Sequence, residues 1–143
     1  MQTQVAEAAK KKIRVVEPPE LFTKLQLIIN EYTKQIYEYN NIAKQRSYYL
    51  KPVHITVRTE KDGSKSKYYY YGRYWYKLER DGGRIRWIYL GKAKPDPSLP
   101  DPPRSLVEGL VLKVKGNEIE AIFASQEQYN EIMRGLAGLE KAR

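Results

Sequence analysis

The sequence contains no cysteine and only one histidine, His54. The first absence excludes disulfide bonds, thiol catalysis and Cys-ligated zinc or iron–sulfur sites. The second excludes a metal site built from several histidines of one chain. The sequence also has no glycine-rich phosphate loop and no Ser/His/Asp set. We therefore expect a protein that is not an enzyme and that uses no cofactor or metal.

Long hydrophobic runs are also missing. No segment approaches the ~20 apolar residues that a membrane span requires, and the N-terminus lacks the hydrophobic region of a signal peptide. These absences predict a soluble, cytoplasmic protein with no membrane partner. The 143 residues suit one domain, or one small domain with appendages. The lack of cysteine, together with abundant Lys, Glu, Arg, Ile and Tyr, also favours a thermophilic source.

Positive charge and aromatic side chains are concentrated in one part of the chain. The net charge is +9, yet residues 44–94 alone hold fourteen Lys and Arg against four acids. Six Tyr and one Trp fall within residues 68–76. A basic and aromatic surface favours a polyanion with flat bases. The composition therefore indicates a nucleic-acid-binding protein.

The N-terminal half of the chain begins with a polar arm and continues as a helix. Residues 1–18 are predicted to be a flexible basic arm, in which Lys10, Lys11, Lys12 and Arg14 either follow a phosphate backbone or remain solvated. Apolar side chains spaced by three and four residues predict a helix over 19–46. Two roles for this helix stay open. It either covers one face of the sheet that follows or pairs with its copy in a homodimer.

After Pro52 the hydrophobic period changes from helical to two, which predicts strands. Turns at Asp62-Gly63 and Asp81-Gly82 divide residues 53–90 into a three-stranded antiparallel, Tyr-rich meander. Residues 92–104 hold five of the eight prolines and are predicted to form a stiff linker. Residues 105–143 are predicted to be a ββα unit whose helix opens at a capping box, Ser125 to Gln128. The fold class is thus α+β, with residues 19–91 as the DNA-binding unit.

The two turns also predict which strand residues share a face. A two-residue Asp81-Gly82 loop places Leu78 opposite Ile85 and Tyr76 opposite Trp87. A two-residue Asp62-Gly63 loop places Val57 opposite Tyr68. The face predicted to be buried then carries Tyr68, Tyr70, Tyr74, Tyr76, Trp87 and Tyr89. The opposite, basic face is predicted to bind nucleic acid through Arg58, Lys67, Tyr69, Tyr71, Arg73, Trp75, Lys77, Arg84 and Arg86, although a plain exposed-strand role for the three aromatic residues stays open.

The segment 72–91 opens on Gly-Arg-Tyr, has Lys77-Leu78-Glu79 at its centre and closes on Tyr-Leu-Gly. It resembles the N-terminal segment of integrases from spindle-shaped archaeal viruses and, more broadly, the three-stranded arm-binding domains of tyrosine recombinases. The resemblance covers about twenty residues, and in that family no long helix precedes the sheet. It implies a sheet that lays one face in the major groove. The matching positions for base and phosphate contacts are Arg73, Trp75, Lys77, Arg84 and Arg86.

These observations lead to one main hypothesis and two alternatives. The main hypothesis is a non-enzymatic regulator or architectural factor of an archaeal virus or mobile element that docks its basic sheet face on duplex DNA. Five to seven neutralised phosphates would then give a log–log salt slope of roughly −4 to −6. The first alternative is binding of single-stranded DNA or RNA by aromatic stacking. The second is a virion or protein-interaction subunit that uses the Tyr-rich face.

Overall fold

The structure is a computed structural model, and it describes residues 13–15 and 19–141. The arm lysines at 10–12 lie outside the described residues. Within them the chain forms two helices and six strands in an α+β arrangement. The elements are β1 (Ile13–Val15), α1 (Pro19–Ala43), a short 3-10 turn (Lys44–Arg46), β2 (Tyr48–Thr59), β3 (Lys65–Asp81), β4 (Arg84–Gly91), β5 (Val111–Lys115), β6 (Glu118–Phe123) and α2 (Gln126–Lys141).

All six strands belong to one antiparallel sheet with the order β1-β6-β5-β3-β2, and β4 also pairs with β3. The long strand β3 therefore has two partners along the same edge. Its first half pairs with β5 through residues 67–70, and its second half pairs with β4 from Trp75 onward. The predicted meander and the predicted C-terminal hairpin are both present, and β3 joins them into a single sheet.

Helix α1 lies on this sheet because its apolar stripe is buried there. Leu25, Ile29 and Ile36 are almost fully buried in the core. The Tyr32 hydroxyl donates a hydrogen bond of 2.9 Å to the Gly72 carbonyl of β3. The helix ends in the 3-10 turn, after which Ser47 adopts a left-handed φ of 65°. The stripe that the homodimer hypothesis requires thus packs against the sheet of its own chain.

The segment between β4 and β5 packs against the same core as the helices. Leu99 and Val107 are buried in this core, so the proline-rich stretch does not run free in solvent. The Tyr39 hydroxyl donates to the Pro100 carbonyl at 2.6 Å, and the Lys94 ammonium donates to the Leu99 carbonyl at 2.9 Å. The proline-rich segment is therefore tied to α1 and to itself along the face of the sheet.

Helix α2 begins with the predicted capping residues. The Gln128 amide donates to Ser125 Oγ at 3.1 Å, which is the first half of a capping box. In the second half, Gln128 Oε1 accepts from the amide of Ala124 and not from that of Ser125. Gln128 Nε2 also donates to the carbonyls of Leu106 and Glu108. One side chain thus caps α2 and fixes the loop that leads into β5.

Both helices share one core with the sheet, so they cover the same face of it. We call this the covered face and the opposite side the open face. Strand β1 extends the sheet beyond β6, and its Arg14 forms an ion pair of 3.2 Å with Glu120. Residues 13–15 of the predicted flexible arm are thus a strand. Neither helix of the described residues has the length and apolarity needed to cross a membrane.

The second hairpin differs from the predicted register by two residues. Asp81 pairs with Arg84, so the loop is Gly82-Gly83. Both glycines have positive φ, at 55° and 87°, as a two-residue turn of the primed type requires. Leu78 therefore faces Trp87, and Tyr76 faces Tyr89. A shift of two keeps every side chain on its predicted side, so the predicted grouping of this hairpin holds although its pairs are wrong.

The first hairpin differs by one residue, and this shift changes sides. Thr59 pairs with Lys65, which leaves a five-residue loop in place of the predicted two. Asp62 Oδ1 accepts from the Ser64 amide at 2.9 Å and stabilises the wider loop. Val57 consequently faces Lys67, and Arg58 lies on the side of Tyr68 and Tyr70. The predicted placement of Arg58 beside Tyr69 and Tyr71 is wrong.

Candidate nucleic-acid interface

The sheet separates the Tyr run into the two predicted sets, but the buried and exposed faces are exchanged. Trp75 is 1% exposed and meets Tyr39 of α1 edge to face at 6.0 Å between ring centroids. Tyr71 is 8% exposed, and burial raises its pKa to about 12. Tyr69 also packs against the core. The prediction that these three aromatic residues share a solvent-exposed face with the cations is wrong, because they pack into or against the core that the helices share with the sheet.

Two of the cations predicted for the same face, Arg73 and Arg86, are neutralised by ion pairs within the chain. Arg73 Nε forms a 3.0 Å ion pair with Glu108, and Arg73 Nη2 donates to the carbonyls of Pro102 and Pro103. These contacts hold the loop before β5 on the covered side of the sheet. Arg73 is therefore a structural contact of the covered face, and its guanidinium does not point away from the protein.

Four further predicted residues lie on the covered side of β3 and β4. The Lys77 ammonium lies 5.6 Å from the ring of Tyr48, and that of Lys67 lies 5.2 Å from the ring of Tyr69. Arg86 pairs with Glu79 at 3.1 Å. Arg84 pairs in register with Asp81 beside the turn and is exposed. Of the nine predicted binding residues, Arg58 alone lies on the open face.

The open face is built from aromatic and basic side chains of four strands and of the residue that follows β4. Its rings are half-buried against one another, while Trp87 and Tyr89 are 45% and 52% exposed. The covered-face core contains both helices, and this side of the sheet carries none of the described helices. We define the open face as Tyr49, Lys51, His54, Arg58, Tyr68, Tyr70, Tyr74, Tyr76, Trp87, Tyr89, Lys92 and Lys113.

One aromatic cluster lies at the end of the sheet formed by β2, β3 and β4. Tyr49 and Tyr76 both meet Trp87 edge to face, at 4.9 and 5.8 Å between centroids. Tyr76 also contacts Tyr89 at 5.4 Å. The ammonium of Lys51 lies 4.8 Å from the Tyr76 ring and 5.1 Å from the Trp87 ring. A cation is thus held against two aromatic rings on an uncovered surface.

A second cluster lies toward β5. His54 contacts Tyr74 at 5.5 Å and Tyr70 at 6.3 Å, and Tyr70 stacks on Tyr68 at 6.1 Å. Arg58 lies over the Tyr68 ring at 4.9 Å, and its Nη2 donates to the Tyr70 hydroxyl at 3.1 Å. The alternation along β3 places these rings in line with those of the first cluster. Together the two clusters form a continuous aromatic surface.

The cations of the open face differ in whether an acid neutralises them. Lys113 lies near the tip of the first hairpin and pairs with Glu60 at 3.4 Å. Within the described part of the chain, Lys51, Arg58 and Lys92 have no ion-pair partner. Their charges are therefore available to a ligand. At the hairpin tip, hydrogen bonds from Ser64 and the nearby Lys115 hold the pKa of Asp62 below its usual range, so that carboxylate stays ionised.

Sequence reasoning missed the residues that make the open face basic. Lys51 comes from β2 and Lys92 from the residue after β4, while the rings they contact belong mainly to β3. The only signal in the sequence for these two lysines lies in or directly after the strands next to β3 and not in the Tyr run itself. The opposite choice of buried face places Lys51 beside the Tyr run by alternation. Lys92, in contrast, follows the register shift at Trp75 and the positive φ of Gly91, which alternation does not predict.

Comparisons with protein-family models, with curated proteins and with solved structures find no match for this chain. The resemblance to viral integrases accordingly stays a prediction.

Proposed function

We propose that the protein binds single-stranded nucleic acid on the open face. The observation that carries this proposal is that four cations without an acidic partner, Lys44, Lys51, Arg58 and Lys92, lie over aromatic rings of an uncovered sheet. Such a surface offers ring faces to bases and positive charge to phosphates at the same time. We keep the prediction that the protein acts as a non-enzymatic binding protein.

The aromatic content of the open face favours unpaired over paired bases. Within a duplex, bases stack on each other and present only their edges in the grooves, which are read by polar side chains. In an unpaired strand, the π-faces of the bases are free to stack on Tyr and Trp. The residues that supported duplex docking, Arg73 and Trp75 above all, lie on the covered face. The open face therefore supports a single-stranded ligand better than a duplex.

The number of free cations predicts how strongly salt will weaken binding. For single strands the log–log slope is about −0.7 per neutralised phosphate, so four contacts, from Lys44, Lys51, Arg58 and Lys92, give a slope of about −3. The duplex mode predicted from the sequence requires a steeper slope, of roughly −4 to −6. The salt dependence thus distinguishes the two modes without any variant.

The direct test is a fluorescence-anisotropy titration of labelled dT12 and of a 12-base-pair duplex across a salt series. We expect dT12 to bind more tightly than the duplex, with the shallow slope. Tyr89→Ala removes a ring that is 52% exposed. Because one stacked base contributes ~1–3 kcal/mol, this change is expected to weaken dT12 binding by about 5- to 150-fold. Lys51→Ala is expected to weaken binding and make the slope less steep.

Helix α1 supplies a matched control for the lysine. Lys34 is an exposed lysine of this helix. Lys34→Ala should leave dT12 binding unchanged. Tighter duplex binding with the steep slope would instead favour the DNA-docking hypothesis. Absence of binding to either polymer at low salt would indicate that the open face is a protein-interaction surface.

A further inference from the structure

A notch interrupts the open face where β4 ends and β5 has not yet begun. The register of β3 with β5 ends at Tyr70, backbone hydrogen bonds to Leu110 and Gly109 continue to Tyr71, and pairing with β4 starts at Trp75. Between these points β3 lacks a full neighbour on that edge, which leaves a cleft of about 330 Å³. Its lining joins Tyr70, Gly72, Tyr74 and Lys92 of the open face to Arg73 and Glu108, whose ion pair lies on the covered side.

The shape of the notch suits one flat ring. Gly72 contributes no side chain, and the phenol end of Tyr74 lies beside it, with Cε2 and the hydroxyl oxygen 3.6 and 3.7 Å from where a Cβ would stand. Tyr70 and Tyr74 contribute aromatic walls on either side of this glycine. Pockets for drug-sized ligands usually occupy ~300–1,000 Å³, so the notch lies at the low end of that range. It is large enough to admit one nucleobase.

The polar groups of the notch differ from those of the surrounding clusters. The ammonium of Lys92 lies 5.8 Å from the Tyr74 ring and has no acidic partner among the described residues. Glu108 lines the same cleft, and its carboxylate is fixed by the 3.0 Å ion pair with Arg73. A positioned carboxylate accepts hydrogen bonds from an exocyclic amino group, as in the recognition of cytosine N4. A base with a carbonyl at that position offers no donor there.

We propose that the notch binds one unstacked nucleobase that carries an exocyclic amino group, with Lys92 contacting the adjoining phosphate. Cytosine is thereby preferred over uracil, from which it differs at C4 and in the protonation of N3. This inference rests on the proposed function, because it assigns a base-specific position to a surface that otherwise binds strands by stacking.

The first test is a titration of the nitrogen-15-labelled full chain with cytidine 5′-monophosphate and, separately, with uridine 5′-monophosphate. We expect saturable amide shifts at Gly72, Gly109 and Lys92 with the cytidine nucleotide. Since one net hydrogen bond contributes ~1 kcal/mol, the uridine nucleotide should bind about fivefold more weakly. Equal binding of the two nucleotides would overturn the proposal, as would shifts confined to the cluster around Trp87.

The second test fills the notch. Gly72 does not require a positive φ, so Gly72→Ala adds a methyl group without backbone strain. This variant should retain the wild-type thermal midpoint and lose the cytidine-nucleotide shifts at the notch. The matched control is Gly138→Ala, whose methyl group enters open space on α2. If Gly72→Ala binds the nucleotide as well as wild type does, the notch is not the base site.

Oligonucleotides separate failure of this proposal from failure of the proposed function. Wild type is compared with Gly72→Ala for binding to dC6 and to dT6. We expect the substitution to weaken dC6 binding by about 5- to 150-fold, the range for one stacked base, and to affect dT6 less. Equal weakening of dC6 and dT6 binding would overturn the base preference but would leave the proposal of strand binding by the open face intact. Failure of wild type to bind either hexamer would overturn the proposed function.

Discussion

Asn40 shows how one polar side chain fixes the position of helix α1 on the sheet. It is 1% exposed, and its amide group makes two hydrogen bonds to Leu50 of β2. Nδ2 donates to the Leu50 carbonyl and Oδ1 accepts from the Leu50 amide, each at 2.8 Å. These backbone groups face the outer edge of the sheet, where no strand pairs with β2. Asn40 therefore takes the place of a neighbouring strand at this residue.

Removal of this side chain should be costly. Asn40→Ala leaves a buried donor and a buried acceptor of Leu50 without partners, and each such group costs ~1–3 kcal/mol. We expect the free energy of unfolding to fall by about 2–4 kcal/mol, measured by urea titration with circular dichroism. The neighbouring Asn41 is exposed, so Asn41→Ala should change stability by less than about 0.5 kcal/mol. Similar values for the two variants would contradict the role assigned to Asn40.

At the scale of elements, the two faces of β3 show what sequence reasoning achieves here. Alternation alone separates Tyr74 and Tyr76 from Tyr71 and Trp75, and this separation is confirmed by their contacts. Which set is buried depends on where α1 lies, and period-two patterning contains no information on that. Placing Arg73 among the free cations failed because it is neutralised by Glu108, which is thirty-five residues away in sequence.

The predicted strand registers were also wrong, because the two turns do not use the residues that were assigned to them. Both Asp-Gly pairs indicate a turn correctly, but neither loop consists of the two predicted residues. At Asp81 the additional glycine shifts the loop by one position, and at Asp62 the Ser64 hydrogen bond widens it to five residues. The elements of the fold were thus predictable from local pattern. The composition of each face required long-range contacts that a single sequence does not reveal.

The two tryptophans provide a direct measurement of which face is covered. Trp75 is 1% exposed and Trp87 is 45% exposed. In Trp87→Phe, the remaining Trp75 should emit at shorter wavelength and resist quenching by acrylamide, because the core excludes water and quencher. In Trp75→Phe, Trp87 should emit at longer wavelength and be quenched readily.

Stability should follow the same order as fluorescence. Trp75→Ala opens a cavity in the core and is expected to cost about 3–5 kcal/mol, whereas Trp87→Ala should cost about 1 kcal/mol or less. Chemical denaturation of both variants checks this order. If Trp87 proves the shielded and more costly residue, the faces are assigned the wrong way round.

At the scale of the whole molecule, β3 links parts of the chain that are distant in sequence. It pairs with β2, β4 and β5, and the shared core contains residues from both helices and from the proline-rich segment. The boundary predicted between residues 91 and 105 therefore does not coincide with a gap in the core. Residues on both sides of it are buried together, among them Tyr39, Trp75, Leu99, Phe123 and Ile132.

This arrangement predicts that residues 19–91 do not fold alone. The fragment would expose the edge of β3 that pairs with β5 and would lose the core side chains contributed by β6 and α2. We expect the fragment to give a poorly dispersed proton–nitrogen correlation spectrum and no cooperative thermal transition. The full chain is expected to show a single cooperative transition. A dispersed spectrum from the fragment would instead establish it as an independent domain.

The one-sided covering of the sheet also governs the colloidal behaviour of the protein. A bare sheet face with seven large rings favours face-to-face association of two copies. The positive charges of Lys51, Arg58 and Lys92 lie against those rings, so two approaching open faces repel each other. Since the Debye length shortens from about 10 Å at 0.1 M salt to 3 Å at 1 M, added salt weakens this repulsion while the apolar attraction remains. The protein should therefore be most soluble in dilute buffer and should self-associate in concentrated salt.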